Sequence, residues 1–231
     1  MIGNWSDYLT EEVVFQSGFV RRKQLEHHEC CTERLDRRLA GESLPETRDV
    51  WSKIFGKTDE LSREELHSTA TFFMLASTET TASALSGTTY HLLTNPDKLR
   101  ILARELRTAY PGGLEDMTFE NLARQRYLTA VIQEGMRLYP PVPSELPRVV
   151  PAEGTTLFGE YIPGGTTIGV HHMATYRREE FFKTPNEFHP ERWLGGTEFK
   201  DDDLDAVENF SVGARNCIGK VCDVLFPSAD E

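Results

Sequence analysis

Proline and glycine divide the first 140 residues of this chain into helix-length segments. Asn95-Pro96 ends one segment, Pro-Gly-Gly at 111–113 ends the next, and a Pro-Pro pair at 140–141 ends a third. Proline rarely continues a helix, because it lacks an amide hydrogen and its ring clashes with the preceding turn. The sequence therefore predicts three long helices, over about residues 62–93, 96–110 and 127–138, with a shorter helical pattern after Thr118.

Local signals also predict how these helices begin. Ser62 and Glu65 have the spacing of a capping box, in which each side chain accepts a hydrogen bond from the other residue's amide. Asn95 is placed to cap the helix that starts at Pro96. Beyond Pro147 the sequence pattern changes to short β-prone segments separated by turn residues. The sequence thus predicts a mainly α chain with short β segments, an α+β fold.

Composition argues against two classes of partner. The 231 residues carry a formal net charge of −12, which is unsuited to nucleic acid. No run approaches the ~18 apolar residues of a membrane span, and the first residues lack the features of a signal peptide. We therefore expect no membrane span in this chain, a cytoplasmic location as written, and four reduced cysteines. Cys30 and Cys31 are too crowded for a zinc knuckle, which favours an exposed helix.

The centre of the long helix predicted up to residue 93 has an unusual composition. Small and hydroxylated residues there surround a lone acid, Glu79. An amphipathic surface helix would separate its polar and apolar faces, so we expect this polar patch to lie within an otherwise buried helix. Buried hydroxyls need partners. These are either carbonyls of the same helix or water, a ligand or other side chains.

Two arginines and one glutamate are candidates for an ion-pair network. Glu134 and Arg137 stand three residues apart, close enough to pair on one helix. Such a pair alone adds only a few tenths of a kcal/mol when exposed. Arg192, in Pro-Glu-Arg-Trp at 190–193, supplies a second cation. If it joins the pair, charge-assisted hydrogen bonds will lock the helix to a distant loop.

The segment NFSVGARNCIGK at 209–220 presents a single cysteine between glycines. Gly213 and Gly219 permit close backbone approach and positive backbone angles. Arg215 is suited to a carboxylate and also favours the thiolate form of Cys217. A soft, ionisable cysteine on a turn is a candidate metal ligand or nucleophile.

Four motifs occur in order along the chain: AxTETT at 76–81, ExxR at 134–137, PERW at 190–193 and FxxGxRxCxG at 210–219. In this order and spacing they resemble the cytochrome P-450 heme-thiolate monooxygenases, over roughly residues 32–220. The similarity is greatest to fungal members, many of which serve secondary metabolism. The resemblance implies a partial cytochrome P-450 fold.

The resemblance also assigns roles to particular residues. The heme-binding set it implies is Cys217 as iron ligand, Arg215 and Arg148 on the propionates, and Phe210, Gly213 and Gly219 near the sulfur. The structural triad it implies behind the heme is Glu134, Arg137 and Arg192. The residues implied to deliver protons to dioxygen on the distal side are Glu79 and Thr80. The residues implied to line the substrate side are Phe72, Phe73, Ala76, Val142 and Leu146.

The cofactor implied is heme b, with electrons from NADPH through a cytochrome P-450 reductase. The reaction implied is hydroxylation or epoxidation of a small lipophilic substrate by dioxygen. For a full-length member the resemblance implies the cytosolic face of the endoplasmic reticulum membrane. Ser77 stands where the family usually has glycine, which weakens the catalytic interpretation without removing it.

Family members are longer, so we expect this chain to be truncated at both ends. The expected organisation is a polar helical lead-in with linker (1–60), a heme-domain core from the long distal helix to the cysteine loop (61–220), and an atypical tail (221–231). The alternative to a working monooxygenase is an inactive remnant that keeps the motifs without a functional heme pocket.

Overall fold

A computed structural model of the chain describes residues 18–40 and 61–221. Its contacts divide the chain into two compact units, Met1–Thr78 and Glu79–Glu231. The predicted linker, much of the predicted lead-in and nearly all of the predicted tail lie outside the described residues. The heme-domain core over 61–220 stays a prediction.

The described residues of the first unit form two helical segments. Helix α1 spans Gly18–Leu39, and helix α2, which spans Arg63–Thr94, contributes its residues up to Thr78. The predicted capping box at the start of α2 is confirmed: the Ser62 amide donates to Glu65 Oε2 at 2.8 Å, and the Glu65 amide donates to Ser62 Oγ at 3.2 Å. Helix α2 therefore begins where the sequence predicted.

Helix α1 packs on the start of α2 through a small apolar cluster. Leu35 of α1 is buried with Leu66 and Ala70 of α2. Beside this cluster, Asp36 accepts from His67 Nε2 at 2.9 Å. The rest of α1 is largely exposed and charged, as expected for a solvated helix.

The second unit continues α2 and adds the other helices. These are α3 (Pro96–Ala109), α4 (Phe119–Leu122), α5 (Arg126–Leu138) and α6 (His172–Thr175). The buried core joins Leu102 of α3 to Tyr127, Val131 and Leu138 of α5, and to Phe188 of a later loop. Helix α5 is thus the central element of this unit, with its last five residues buried.

Asn95 stands at the predicted N-cap position of α3, with Pro96 in the first turn, but the predicted side-chain cap is wrong. Its side chain makes no cap hydrogen bond to α3. Instead, Asn95 Nδ2 donates to the carbonyl of His91 at 2.8 Å. Helix α2 ends immediately before α3, and the last carbonyls of a helix lack donors from within it. Asn95 therefore caps the end of α2 rather than the start of α3.

Two glycines let α5 and the end of α2 approach closely. A Cβ added to Gly135 of α5 would lie 2.9 Å from Thr88 Cβ, and one added to Gly87 of α2 would lie 2.6 Å from Tyr139 Cβ. Side-chain carbons do not pack at such distances. The small residues therefore set the separation of these helices.

Among the described residues, the β structure consists of two short antiparallel pairs. Strand β1 (Arg148–Val149) pairs with β4 (Thr167–Ile168), and β2 (Thr155–Leu157) pairs with β3 (Glu160–Ile162). After residue 176 the described chain continues as turns and short 3₁₀ helices. The predicted mainly α chain with short β segments is confirmed.

Within residues 18–40 and 61–221, no helix combines the length and apolar character required to cross a bilayer.

Candidate functional site

Residues 209–220, which we call the cysteine loop, are held in place by hydrogen bonds within their own backbone. The Cys217 amide donates to the carbonyl of Phe210 at 2.8 Å, and the Lys220 amide donates to the carbonyl of Cys217 at 3.0 Å. Gly213 begins a 3₁₀ turn, Gly213–Arg215, with a φ of 77°, a left-handed conformation that glycine adopts without strain. The loop closes around the cysteine and leaves its thiol exposed. Sγ lies 3.5 Å from where a Cβ on Gly219 would stand.

A cavity of about 470 Å³ lies between the cysteine loop and strand β1. It is lined by Pro147, Arg148, Val149, Val212, Ala214 and Arg215. The fold thus brings Arg148 and Arg215, which are distant in sequence, to one cavity with no acidic lining residue. Two cations in an otherwise apolar wall suit a ligand with an apolar body and carboxylate groups.

The Glu134 carboxylate is completely buried and takes four hydrogen bonds. Oε1 accepts from Arg137 Nη2 at 2.8 Å and from the His189 amide at 3.1 Å. Oε2 accepts from Arg137 Nε at 2.9 Å and from Trp193 Nε1 at 3.0 Å. Helix α5 positions the pair, because residues three apart lie on one face. This face points into the core, so the pair differs from an exposed helical ion pair.

Arg137 uses all five of its donors. Besides Glu134, its guanidinium donates to the carbonyls of Tyr176 and Pro185, both at 2.7 Å, and of Glu187 at 3.2 Å. The planar fork of arginine allows this distribution of bonds. Arg137 therefore ties α5 to three points of the chain between residues 176 and 187.

Arg192 completes the buried charge cluster, together with an acid that the sequence did not indicate. Its Nε lies 3.4 Å from Glu134 Oε2, and its guanidinium forms an ion pair with Asp202, whose side chain is only 4% exposed. Asp202 also accepts from the Lys183 amide at 2.8 Å. Two arginines and two carboxylates balance in charge, as burial requires. We call Glu134, Arg137, Arg192 and Asp202 the buried charge cluster.

Aromatic rings cover the cluster. The guanidinium carbons of Arg137 and Arg192 lie 5.1 and 5.5 Å from the ring centre of Phe182, and Arg192 lies 4.6 Å from that of Phe199. Both rings are buried. These cation–π contacts strengthen in a dry environment.

The environment of Glu134 lowers its pKa. Burial opposes ionisation, but the hydrogen bonds and charge of Arg137, the charge of Arg192 and the Trp193 donor outweigh burial. The carboxyl is therefore ionised at neutral pH, and the cluster is a true ion-pair network. Because the pKa of Glu134 is lower in the folded state than in the unfolded state, its ionisation stabilises the fold at pH values above the unfolded-state pKa. This stabilisation is lost as the pH falls through the folded-state pKa.

We expect a carboxyl-carbon NMR titration of Glu134 in the folded chain to give a pKa below about 4.3, the usual value for glutamate. The same carboxyl in the urea-unfolded chain is the matched control and should titrate near that usual value. A folded-state pKa equal to or above the unfolded one would contradict the ion-pair network.

The residues implied to form the distal and substrate sides lie partly in the open. On α2, Phe72 is 65% exposed, while Phe73 and Ala76 are half-buried. Glu79 is exposed and Thr80 half-buried. The expectation that this polar patch is buried within α2 is wrong, because Ser77, Thr78 and Thr81 are also exposed. Water is thus available to these hydroxyls, and Ser77 Oγ also donates to the Met74 carbonyl at 3.4 Å.

The remaining two substrate-side residues follow α5. Val142 is half-buried, and its carbonyl lies 2.9 Å from His172 Nδ1. Leu146 is exposed, and its carbonyl accepts from Arg148 Nη1 at 3.3 Å. Leu146 thus adjoins the cavity-lining arginine.

Sequence reasoning missed several members of the site. Asp202 stands in the acidic run 201–203, a pattern typical of a solvated surface. Trp193 could have been found, because it directly follows Arg192 in a motif already singled out. Tyr176 and Phe182 had no sequence signal, since the arginines that they contact in the site meet them only in the folded chain.

In the described part of the chain, no group of three His, Cys, Asp or Glu side chains is arranged to hold a metal ion. Cys31 instead is buried with Sγ 3.6 Å from His27 Nε2, and burial raises the pKa of its thiol.

Comparison with known proteins identifies similar chains. The sequence model of the family described as Cytochrome P450 matches residues 17–221. The chain is 43% identical to the cytochrome P450 monooxygenase efuB of Hormonema carpetanum, over 90% of this chain and 44% of the relative. It is 40% identical to the cytochrome P450 monooxygenase FUM2 of Gibberella moniliformis, over 89% and 44%, and 38% identical to averantin hydroxylase of Aspergillus parasiticus, over 82% and 39%. The chain thus spans less than half the length of these curated relatives.

Proposed function

The chain belongs to the cytochrome P450 family, and from this premise we propose that it binds heme b through the Cys217 thiolate. The proposed activity is that of a fungal-type monooxygenase of secondary metabolism. It hydroxylates or epoxidises a small lipophilic substrate, with electrons from NADPH through a cytochrome P450 reductase. The hydroxylase among its relatives supports this reaction class.

The observation that carries the proposal is the cavity between β1 and the cysteine loop. Heme b is a flat apolar ring with two carboxylates, and Arg148 and Arg215 line one cavity with apolar neighbours. The exposed thiol of Cys217 belongs to the same loop as Arg215. The residues present therefore fit the group: two cations for the propionates and a soft sulfur for the iron.

When bound, the heme supplies oxygen chemistry, and thiolate ligation favours cleavage of the O–O bond. The protein's part is to hold the sulfur in place. Gly219 lies beside Sγ, and the Phe210 carbonyl accepts a hydrogen bond from the Cys217 amide.

The proton-delivery roles of Glu79 and Thr80 are proposed from the chemistry of their side chains. The Glu79 carboxylate and the Thr80 Oγ1 hydroxyl are groups that can pass a proton from water, and Glu79 is open to solvent. Phe72, Phe73 and Ala76, with Val142 and Leu146, supply the apolar contacts for a lipophilic substrate.

A second hypothesis is that the chain keeps the motifs but does not turn over substrate. It is favoured by the exposure of the residues implied to face the substrate: Phe72 is 65% exposed and the neighbouring Leu75 52%. An enclosed substrate site would bury such side chains.

The test is a heme titration of the purified chain, followed by the spectrum of the reduced carbon-monoxide complex and a turnover assay with reductase. We expect stoichiometric binding with a thiolate-type band. Arg148→Ala and Arg215→Ala should each weaken binding about tenfold, since each removes a charge-assisted hydrogen bond. Arg124→Ala, an exposed arginine outside the cavity lining, is the matched control and should leave binding unchanged.

The outcomes separate the two hypotheses. Heme binding without reductase-dependent turnover would support the inactive chain. Equal binding by all three arginine variants would show that the cavity does not hold the propionates.

A further inference from the structure

Tyr176 lies between the buried charge cluster and the cysteine loop. It directly follows α6 and is completely buried. Its ring stacks on His172, with ring centres 5.4 Å apart and an angle of 4° between the planes. Neither residue belongs to a motif that identified the family.

The two polar ends of Tyr176 contact different parts of the site. Its backbone carbonyl accepts from Arg137 Nη1 at 2.7 Å. Its side-chain hydroxyl accepts from the backbone amide of Glu208 at 2.8 Å. One residue therefore joins the charge cluster to the start of the cysteine loop.

The contact at Glu208 continues through the loop to the cysteine. The Glu208 carbonyl accepts from the Ser211 amide at 3.0 Å, closing a turn over residues 208–211 in which Ser211 has a φ of 57°. The Phe210 carbonyl, inside this turn, accepts from the Cys217 amide at 2.8 Å. Fixing Glu208 thus fixes the turn on which the Cys217 backbone rests.

We propose that Tyr176 is a positioning residue: its hydroxyl anchors the turn 208–211 and thereby couples Arg137 to the position of Cys217. The proposal rests on the proposed function only in its statement that Cys217 is a heme ligand. The coupling itself concerns contacts within the chain.

The hydroxyl, rather than the ring, makes the connection. Burial raises the pKa of Tyr176 to about 12, so the hydroxyl stays uncharged at neutral pH. A phenylalanine in its place keeps the ring and its stacking on His172 but leaves the Glu208 amide without its acceptor. Tyr176→Phe therefore removes the coupling with little change in packing.

The experiment is residue-resolved hydrogen exchange on the full, heme-free chain. The readout is the ratio of the exchange rates of the Glu208, Ser211 and Cys217 amides to those of the α5 amides. In Tyr176→Phe we expect this ratio to rise about fivefold, which corresponds to the loss of one hydrogen bond. The matched control is Tyr110→Phe, because Tyr110 is also buried and its hydroxyl donates to the Asn121 carbonyl at 2.7 Å. That variant should leave the ratio unchanged.

Equal acceleration of loop and α5 amides in both variants would mean that Tyr176 is merely structural and would overturn the proposal. If Tyr176→Phe does not fold, hydrogen exchange in the unaltered chain tests the proposal instead. The amides of Glu208, Ser211 and Cys217 should then be protected to a similar degree, and a Glu208 amide that exchanges at the unprotected rate would overturn the coupling.

A second readout links the coupling to the proposed function. In heme-loaded Tyr176→Phe, a smaller fraction of the reduced carbon-monoxide complex should show the thiolate-type band, while Tyr110→Phe should match the unaltered chain. An unchanged fraction beside accelerated loop exchange would refute the effect on ligation. Absence of heme binding in the unaltered chain would refute the proposed function and leave the exchange result standing.

Discussion

Cys217→Ser should abolish the thiolate-type band of the reduced carbon-monoxide complex entirely. Serine keeps the size and backbone of the residue, so the loop hydrogen bonds at Phe210 and Lys220 can persist. The serine hydroxyl is a hard, weakly acidic group and a poor substitute for a soft thiolate on iron. The measurement is the difference spectrum of the heme-loaded variant at equal protein concentration.

The matched control is Cys30→Ser, because Cys30 is also exposed but lies on α1. That variant should keep the band at full intensity. A thiolate-type band that survives in Cys217→Ser would show that another group holds the iron, and the role proposed for the cysteine loop would fail with it.

Arg137→Ala should lower the free energy of unfolding by about 3–5 kcal/mol, the usual cost of breaking a buried ion pair from one side. The loss leaves Glu134 as a buried charge that retains only its His189 and Trp193 donors and its neighbour Arg192. It also leaves the carbonyls of Tyr176 and Pro185 without this donor. Since a domain of this kind is stable by only about 5–15 kcal/mol, much of its stability would be lost. Urea unfolding at neutral pH measures the change.

Arg137→Lys should recover little of this stability. A lysine ammonium has three donors on a flexible stem and cannot reproduce five bonds from a planar fork. The matched control is Arg178→Ala, whose arginine forms an ion pair with Glu180 and is 55% exposed. That change should cost less than about 1 kcal/mol. Similar losses for Arg137→Ala and Arg178→Ala would mean that the buried charge cluster does not stabilise the fold.

Asp202 gives the charge cluster a feature that a triad alone lacks. Glu134, Arg137 and Arg192 together carry one surplus positive charge, and Asp202 balances it from the segment that leads into the cysteine loop. Asp202 pairs with Arg192, and Tyr176 contacts both Arg137 and Glu208, so both residues join the cluster to the segment that precedes the cysteine loop.

Much of this protein could be predicted from the sequence, because much of it depends on local chemistry. The end of α2 before Pro96 and the capping box at Ser62 depend on neighbouring residues, and both were predicted. The short strands beyond Pro147 followed from turn residues and β propensity. The four ordered motifs identified the family, since their residue types and spacing are specific when taken together.

The tertiary structure decided what depends on contacts between distant segments. The spacing of Glu134 and Arg137 predicts a pair but not its burial, which raises the cost of breaking the pair from a few tenths of a kcal/mol to several. Asn95 was expected to cap α3 but caps α2, since both helix ends compete for one side chain. Asp202 and Tyr176 had no local signal, because their partners Arg192 and Glu208 meet them only in the folded chain. Helical and strand patterns in a sequence indicate which face of an element is apolar. A buried polar contact depends instead on which distant group the fold places opposite the polar side chain.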